Sequence, residues 1–190
     1  MSSNIQQQQK KTTTTKQPSA ASSSNADPIY ESKVMSTSIQ LKPQYLNNVN
    51  ISDIVLNVLR QKVEGRCISD GYVKPESVVI LSRSLGCMEN QDFAGNVTYY
   101  LKYKADICAP KAGQVIECII DTHDETNSVC YYGDEATSPV EIYLFRDHYI
   151  GNVEFANLKK GNKIIVKVLE PEISFGAEKV LVSAVFIGRV

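Results

Sequence analysis

From position 97 to position 107 every second residue is apolar. Val97, Tyr99, Leu101, Tyr103, Ala105 and Ile107 alternate with Thr98, Tyr100, Lys102, Lys104 and Asp106. A period of two is the mark of a β-strand with one buried and one solvated face, and this one is longer than most. Pro110 has no N–H to give to a ladder, so the strand must stop or change partners there. Gly113 then opens a second apolar run, Val115-Ile-Glu-Cys-Ile-Ile120. A long strand, a Pro-Lys-Ala-Gly break and a new strand predict a junction between two β-rich units.

Ahead of that strand, residues 29–41 read as another strand, rich in β-branched residues and stopped by Pro43. Ile51, Ile54, Val55, Val58 and Leu59 then fit the i, i+3, i+4, i+7, i+8 template of an amphipathic helix. Asn50 or Ser52 is suited to cap it, and Asp53 favours the positive end of its dipole. Residues 63–68 read as a strand with Gly65 inside it, Asp70-Gly71 as a turn and residues 78–84 as a strand. Residues 86–95 are polar and read as a hairpin loop. The expected first unit is β-α-β-β-β, an antiparallel sheet with one helix on its face.

Beyond Gly113 the strand candidates are 114–122, 128–132, 141–145, 163–169 and 179–187. Five short strands with almost no helical period predict a small closed β-barrel. Residues 150–158 leave room for one short helical turn. The fold class is therefore α+β and mostly β.

Charge and cysteine usage narrow the function classes. The net charge of −1 excludes a strongly basic nucleic-acid binder. It hides an asymmetry, because residues 112–190 hold 7 Lys and Arg against 12 Asp and Glu. RNA binding in that half would have to be local, since phosphate contacts supply most non-specific affinity. The five cysteines include no C-x-x-C pair, which predicts reduced and mostly buried thiols in an intracellular protein. His123 and His148 lack partners at metal-ligand spacing, so neither a metal nor a cofactor is expected. Arg146-Asp-His148 has no serine or cysteine nucleophile tied to it by a known spacing, so no catalytic residue is expected. There is no apolar run long enough to cross a bilayer and no secretory leader. Residues 1–27, with runs of Gln, Thr and Ser, predict a disordered polar tail.

Several stretches resemble the seventh, or stalk, subunit family of DNA-directed RNA polymerase II. Residues 29–46, with Pro43 and Tyr45, are similar to its opening strand and Pro-x-Tyr corner. Val63-Glu-Gly-Arg-Cys67 resembles its Val-Glu-Gly-x-Cys stretch, and Gly71-Tyr-Val73 its Gly-Tyr/Phe-Val turn. Residues 97–115 resemble its linking strand, Tyr-x-Ala-x-x-x-x-Pro-x-x-Gly-x-Val. Residues 158–169 are similar to its Leu-x-x-Gly-Asp-x-Ile/Val-x-Val-Lys-Val strand.

The resemblance implies a tip domain over 28–112 that docks on the large polymerase subunits and on a fourth-subunit-like heterodimer partner. It also implies an OB-fold domain of the ribosomal S1 kind over 113–190, near nascent single-stranded RNA. The long strand would hand the chain straight to the first barrel strand, giving a stiff two-unit rod. Tyr30, Pro43, Tyr45, Gly65, Gly71 and Tyr72 become the expected core and partner interface. The family's RNA-facing aromatic pair is missing, its places taken by Thr126, Asn127, Ser128 and Val129. Aromatic surface is expected instead at Tyr131, Tyr143, Phe145 and Tyr149, beside Arg146 and His148, with a basic patch at Lys159, Lys160 and Lys163. Lys102 and Lys104 fit a solvated face, a phosphate contact or an acidic polymerase surface. The polar extension fits a diverged copy of the kind carried by large DNA viruses. That would place the protein in a cytoplasmic viral factory or virion; a cellular copy would be nuclear. The competing expectation is a free-standing OB-fold protein that binds single-stranded RNA.

Overall fold

The structure, a computed structural model, describes residues 29–46, 50–88, 94–124 and 126–190. The expected tail falls outside them. The chain is mostly β: a six-stranded antiparallel sheet carrying one long helix, followed by a closed five-stranded barrel with few helical residues.

The alternating stretch is strand β6 (Val97–Cys108), and the first sheet is built on it. One edge of β6 pairs along its whole length with β1 (Tyr30–Leu41), from Tyr30↔Cys108 to Leu41↔Val97. The other edge is shared among three short strands. β3 (Gly71–Val73) takes the Cys108 end, β4 (Val79–Arg83) the middle and β5 (Cys87–Met88) the Val97 end. β2 (Cys67–Ile68) pairs only with β3 within the sheet.

All six apolar positions of the alternation are buried, as the period of two requires. They pack against Val55, Leu59 and Val63 of α1 (Ile51–Val63), which recur every four residues and form one stripe. Burying each side chain of this size is worth roughly 1.5–3 kcal/mol, an upper bound set by the extended-chain reference.

Local details differ from the sequence reading. Val63 ends the helix instead of starting a strand, and Gly65 (φ 69°) lies in the turn after it. The expected strand over 63–68 therefore shrinks to Cys67–Ile68. The Asn50 side chain makes no capping hydrogen bond. Part of the expected loop after Gly86 is a strand, because Cys87 and Met88 pair with β6; residues 89–93 lie outside the described residues. Four of the five cysteines are buried, and Cys87 is exposed.

The barrel comprises β7 (Val115–His123), β8 (Asn127–Tyr131), β9 (Val140–Phe145), β10 (Lys163–Glu172) and β11 (Val180–Arg189). The order around it is β7-β8-β9-β11-β10, closed by β10 on β7. Every pair is antiparallel except β9 with β11. A short helix, α2 (Val153–Ala156), sits between β9 and β10. The arrangement is compatible with an OB-like barrel, and closure leaves no barrel strand with a free edge.

The two units share packing. Ile29, Cys67, Tyr72 and Cys108 belong to the barrel's buried cluster, with Tyr30 packed against it. Cys67 N–H donates to Ala177 C=O (2.7 Å), and Gly176 N–H donates to Cys67 C=O (2.8 Å). The β10–β11 loop thus covers the edge of β2 that β3 leaves open.

Candidate nucleic-acid face of the barrel

Alternation along β8 and β9 sorts the barrel residues into two sets. Ser128, Cys130, Ile142 and Leu144 point into the core, while Tyr131, Tyr143 and Phe145 lie on the outer surface. Register places Val129 opposite Tyr143 and Tyr131 opposite Glu141, so the two tyrosines are diagonal neighbours. Asn127 lies opposite Phe145. The Tyr143 hydroxyl donates to Glu141 Oε1 (2.9 Å). Partial burial, reinforced by this bond to a carboxylate, raises the Tyr143 phenol above its ordinary value.

The three expected lysines follow the loop and lead into β10. Lys163 lies opposite Ile119 on β7, and Ile119 lies opposite Tyr131, so one row joins the lysine to the aromatic surface. The lysines are not a free basic patch. Lys160 Nζ sits 2.7 Å from Asp121 Oδ1, and that bond raises its ammonium pKa. Lys163 Nζ lies 3.9 Å from Glu117 Oε1. Lys159 donates its backbone N–H to Asn162 Oδ1 (2.8 Å), which shapes the turn and leaves its ammonium without a partner among the described residues. Glu117, Asp121 and Glu141 therefore interleave with the aromatic and basic groups. They cancel much of the charge that a phosphate would need.

No protein-family model matches the chain, and no curated protein matches it.

Arg146 and His148 lie in the 3₁₀ turn Arg146–Tyr149, at the barrel end away from the sheet. Tyr149, expected at the surface, is instead buried. Its ring stacks on Phe155 (4.2 Å between centroids) and meets Phe186 edge-on at 6.3 Å. Its hydroxyl accepts the Phe186 N–H. These rings plug the far end of the barrel, and His123 adds its edge to Phe155 at 5.4 Å.

Sequence reasoning missed a polar pair here. His123 Nδ1 and Ser128 Oγ share a hydrogen bond of 2.6 Å. A serine and a histidine at this distance are the start of a nucleophile pair. Ser128 is 0 % exposed, however, so its oxygen is sealed inside the barrel and the bond satisfies a buried hydroxyl. An open cleft of about 440 Å³ lies beside the plug, lined by His123, Asp124, Arg146 and Asn152 among others. No group of three or more metal-ligating side chains occurs among the described residues. None of their helices is long and apolar enough to cross a membrane.

The expected interface residues separate into two places. Tyr30, Gly71 and Tyr72 lie where the sheet meets the barrel. Gly65, in the turn after the helix, joins them by donating its N–H to Val73 C=O (3.0 Å), whereas Pro43 and Tyr45 form a 3₁₀ turn beyond the Leu41 end of β1, at the opposite end of the strand. Burial, reinforced by Cys108 and Tyr72, raises the Tyr30 phenol far above its ordinary value, and the ring carries Lys74 Nζ 5.1 Å from its centroid.

Proposed function

We propose that this chain is a non-catalytic stalk subunit of a DNA-directed RNA polymerase, a diverged member of the seventh-subunit family. The observation that carries the reading is the order of parts. A sheet with one helix comes first, the Tyr103–Val115 stretch hands the chain over, and a five-strand barrel follows. In that barrel the third strand runs parallel to the fifth, and a short helix precedes the fourth. An S1-like OB fold has the same order of strands.

In this reading residues 28–112 dock on the large polymerase subunits and on a fourth-subunit-like partner. The burial of Tyr72 at the junction moves that contact toward Pro43, Tyr45 and the exposed apolar residues Leu81, Leu85 and Met88. The barrel guides nascent RNA and holds it weakly through Tyr131, Tyr143 and Phe145. Each stacked base would add roughly 1–3 kcal/mol, while the interleaved carboxylates oppose phosphate. A diverged viral copy would work in a cytoplasmic factory or virion, and a cellular one in the nucleus.

Affinity purification of the tagged chain from its native cell tests the reading. The two large polymerase subunits should copurify in a complex that extends RNA. An active polymerase lacking this chain would sink the proposal.

A further inference from the structure

The solvated face of the six-stranded sheet gathers a second set of groups, and none of the barrel residues belongs to it. Register places residues in rows across this face: Val34, Lys104 and Val79; Ser36, Lys102 and Ser82; Ser38 and Tyr100. Ser84 joins the last row, for its N–H donates to Tyr100 C=O (2.9 Å) and Tyr100 N–H donates to Ser84 Oγ (3.0 Å). Tyr100, Lys102 and Lys104 thus form a column down the central strand, with serine hydroxyls on both sides. An open groove of about 590 Å³ runs between the serines over Tyr100 and Lys102.

Charge decides what such a groove attracts. No carboxylate lines it among the described residues. Among the described residues Lys102 and Lys104 have no ion-pair partner, whereas Lys33, Lys111, Lys160 and Lys163 each sit beside a carboxylate. Asp106 is the next residue of the column and bounds the attractive region beyond Lys104. Tyr100 is 57 % exposed at the fourth position of a twelve-residue strand, with its aromatic neighbours Tyr99 and Tyr103 buried on the other face. Unpaired cations beside an open aromatic ring are what binds an extended single strand. The cations meet its backbone and the ring stacks a base.

We propose that this sheet face binds single-stranded RNA, with Lys102 and Lys104 on phosphates, a base on Tyr100 and the serine hydroxyls within reach of 2′-hydroxyls. RNA fits better than DNA because Ser36, Ser38 and Ser82 in the flanking rows offer hydroxyl donors and acceptors, which the 2′-OH can answer, whereas the Ser84 hydroxyl is spent on Leu85 C=O and Tyr100 N–H. The site is separate from the barrel surface and does not depend on the polymerase reading.

The test is fluorescence anisotropy of the full chain with fluorescein-labelled U12 RNA, titrated between 50 and 200 mM NaCl. Each phosphate contact on a single strand contributes about 0.7 to the salt slope. The double variant K102Q/K104Q should therefore lose about 1.4 from that slope. Tyr100→Ala should weaken binding at least about fivefold, with the matching DNA bound less tightly than RNA. All three side chains are solvent-exposed, so thermal melts of the variants should match wild type.

The proposal is overturned if wild type fails to bind at 50 mM NaCl, or if K102Q/K104Q leaves affinity and slope unchanged. It is also overturned if polyglutamate competes as well as RNA, which would make the face a seat for acidic peptide. Loss of binding in Tyr143→Ala alone would move RNA to the barrel and overturn this site. That outcome leaves the polymerase reading to its copurification test.

Discussion

Cys67 and Ala177 are joined main chain to main chain, the Cys67 amide donating to the Ala177 carbonyl at 2.7 Å. With the return bond from Gly176, the pair ties the sheet to the barrel at a second point, two strands across from Cys108 and the covalent crossing at residues 109–114. Two attachments resist rotation where one would allow it. Small-angle scattering of the wild-type chain should therefore fit one rigid particle over the described residues. Gly176→Pro removes the donor to Cys67 and cannot adopt the observed φ of 82°. It should broaden the distance distribution and open residues 109–114 to protease. A wild-type profile that already needs several conformers would refute the tie.

Gly71 is held against β6. A Cβ there would stand 2.4 Å from the Cys108 carbonyl oxygen and 2.8 Å from Ile107 Cγ2, and the residue has φ 131°. Gly71→Ala combines backbone strain with overpacking, each worth roughly 1–3 kcal/mol. The expected loss is about 2–4 kcal/mol, seen as a fall in Tm of roughly 5–15 °C for a domain of this size. An unchanged Tm would mean that β3 does not sit against β6 in this register.

Thiol chemistry should separate Cys87 from the rest. At pH 8 Ellman's reagent should titrate one thiol rapidly and the remainder only after denaturation, since Cys67, Cys108, Cys118 and Cys130 are buried. Burial, with help from Cys67, pushes the Cys108 thiol from an ordinary 9.0 up to about 12. Below pH 9 folded and unfolded chains both keep that proton, so the group adds no pH dependence. Between about 9 and 12 the unfolded chain loses it first, so stability must fall as pH rises. Tyr30, Tyr72 and Tyr103, raised mainly by burial, act with the same sign. Urea midpoints should decline from pH 8 to pH 11, and a flat profile would contradict the burial of these groups.

The aromatic plug should be expensive to breach. Phe155 is 2 % exposed and touches Tyr149, Phe186 and His123. Phe155→Ala should cost about 3–5 kcal/mol in equilibrium unfolding. Tyr149→Phe keeps the ring and leaves the Phe186 N–H without its acceptor, for about 1–3 kcal/mol. If Tyr149→Phe proved neutral, another acceptor must reach that amide.

Lys160→Ala removes a hydrogen-bonded ion pair with Asp121, yet the lysine side chain is 70 % exposed. Solvent screens exposed pairs of this kind almost completely, so Tm should barely move. The variant also frees a carboxylate on the barrel surface. RNA binding by Tyr131 and Tyr143 should weaken accordingly, and stronger binding would refute the self-cancelling charge pattern.

How far the sequence could be read depended on the period of each segment. The alternation in β6 and in the barrel strands survived because one face of each is buried, and burial fixes parity along a strand. Parity failed at His123. A register shift between Ile120 and Thr122 turns the strand, and the histidine meets Ser128 where simple alternation would not bring it. Tyr149 was misread for a related reason: a 3₁₀ turn has no alternation, so an aromatic beside Arg146 and His148 looked like surface. The lysine patch was legible as a run of charge. Its neutralisation was not, because Asp121 lies 39 residues from Lys160 in the chain and reaches it only through β7–β10 pairing. Residues 63–68 misled by composition, for β-branched and apolar residues there serve first the end of a helix and then a two-residue strand.

The parallel pairing of β9 with β11 has a consequence for synthesis. β11 lies between β9 and β10, so the ring cannot close until Arg189 has left the ribosome. The loop that covers β2 lies between residues 172 and 180 and also emerges late. During translation the first sheet must therefore wait, with β2 uncovered, for a segment made more than a hundred residues later. A nascent chain stalled before β11 would expose both the open edge of β9 and the open edge of β2, and chaperones would meet it in that state.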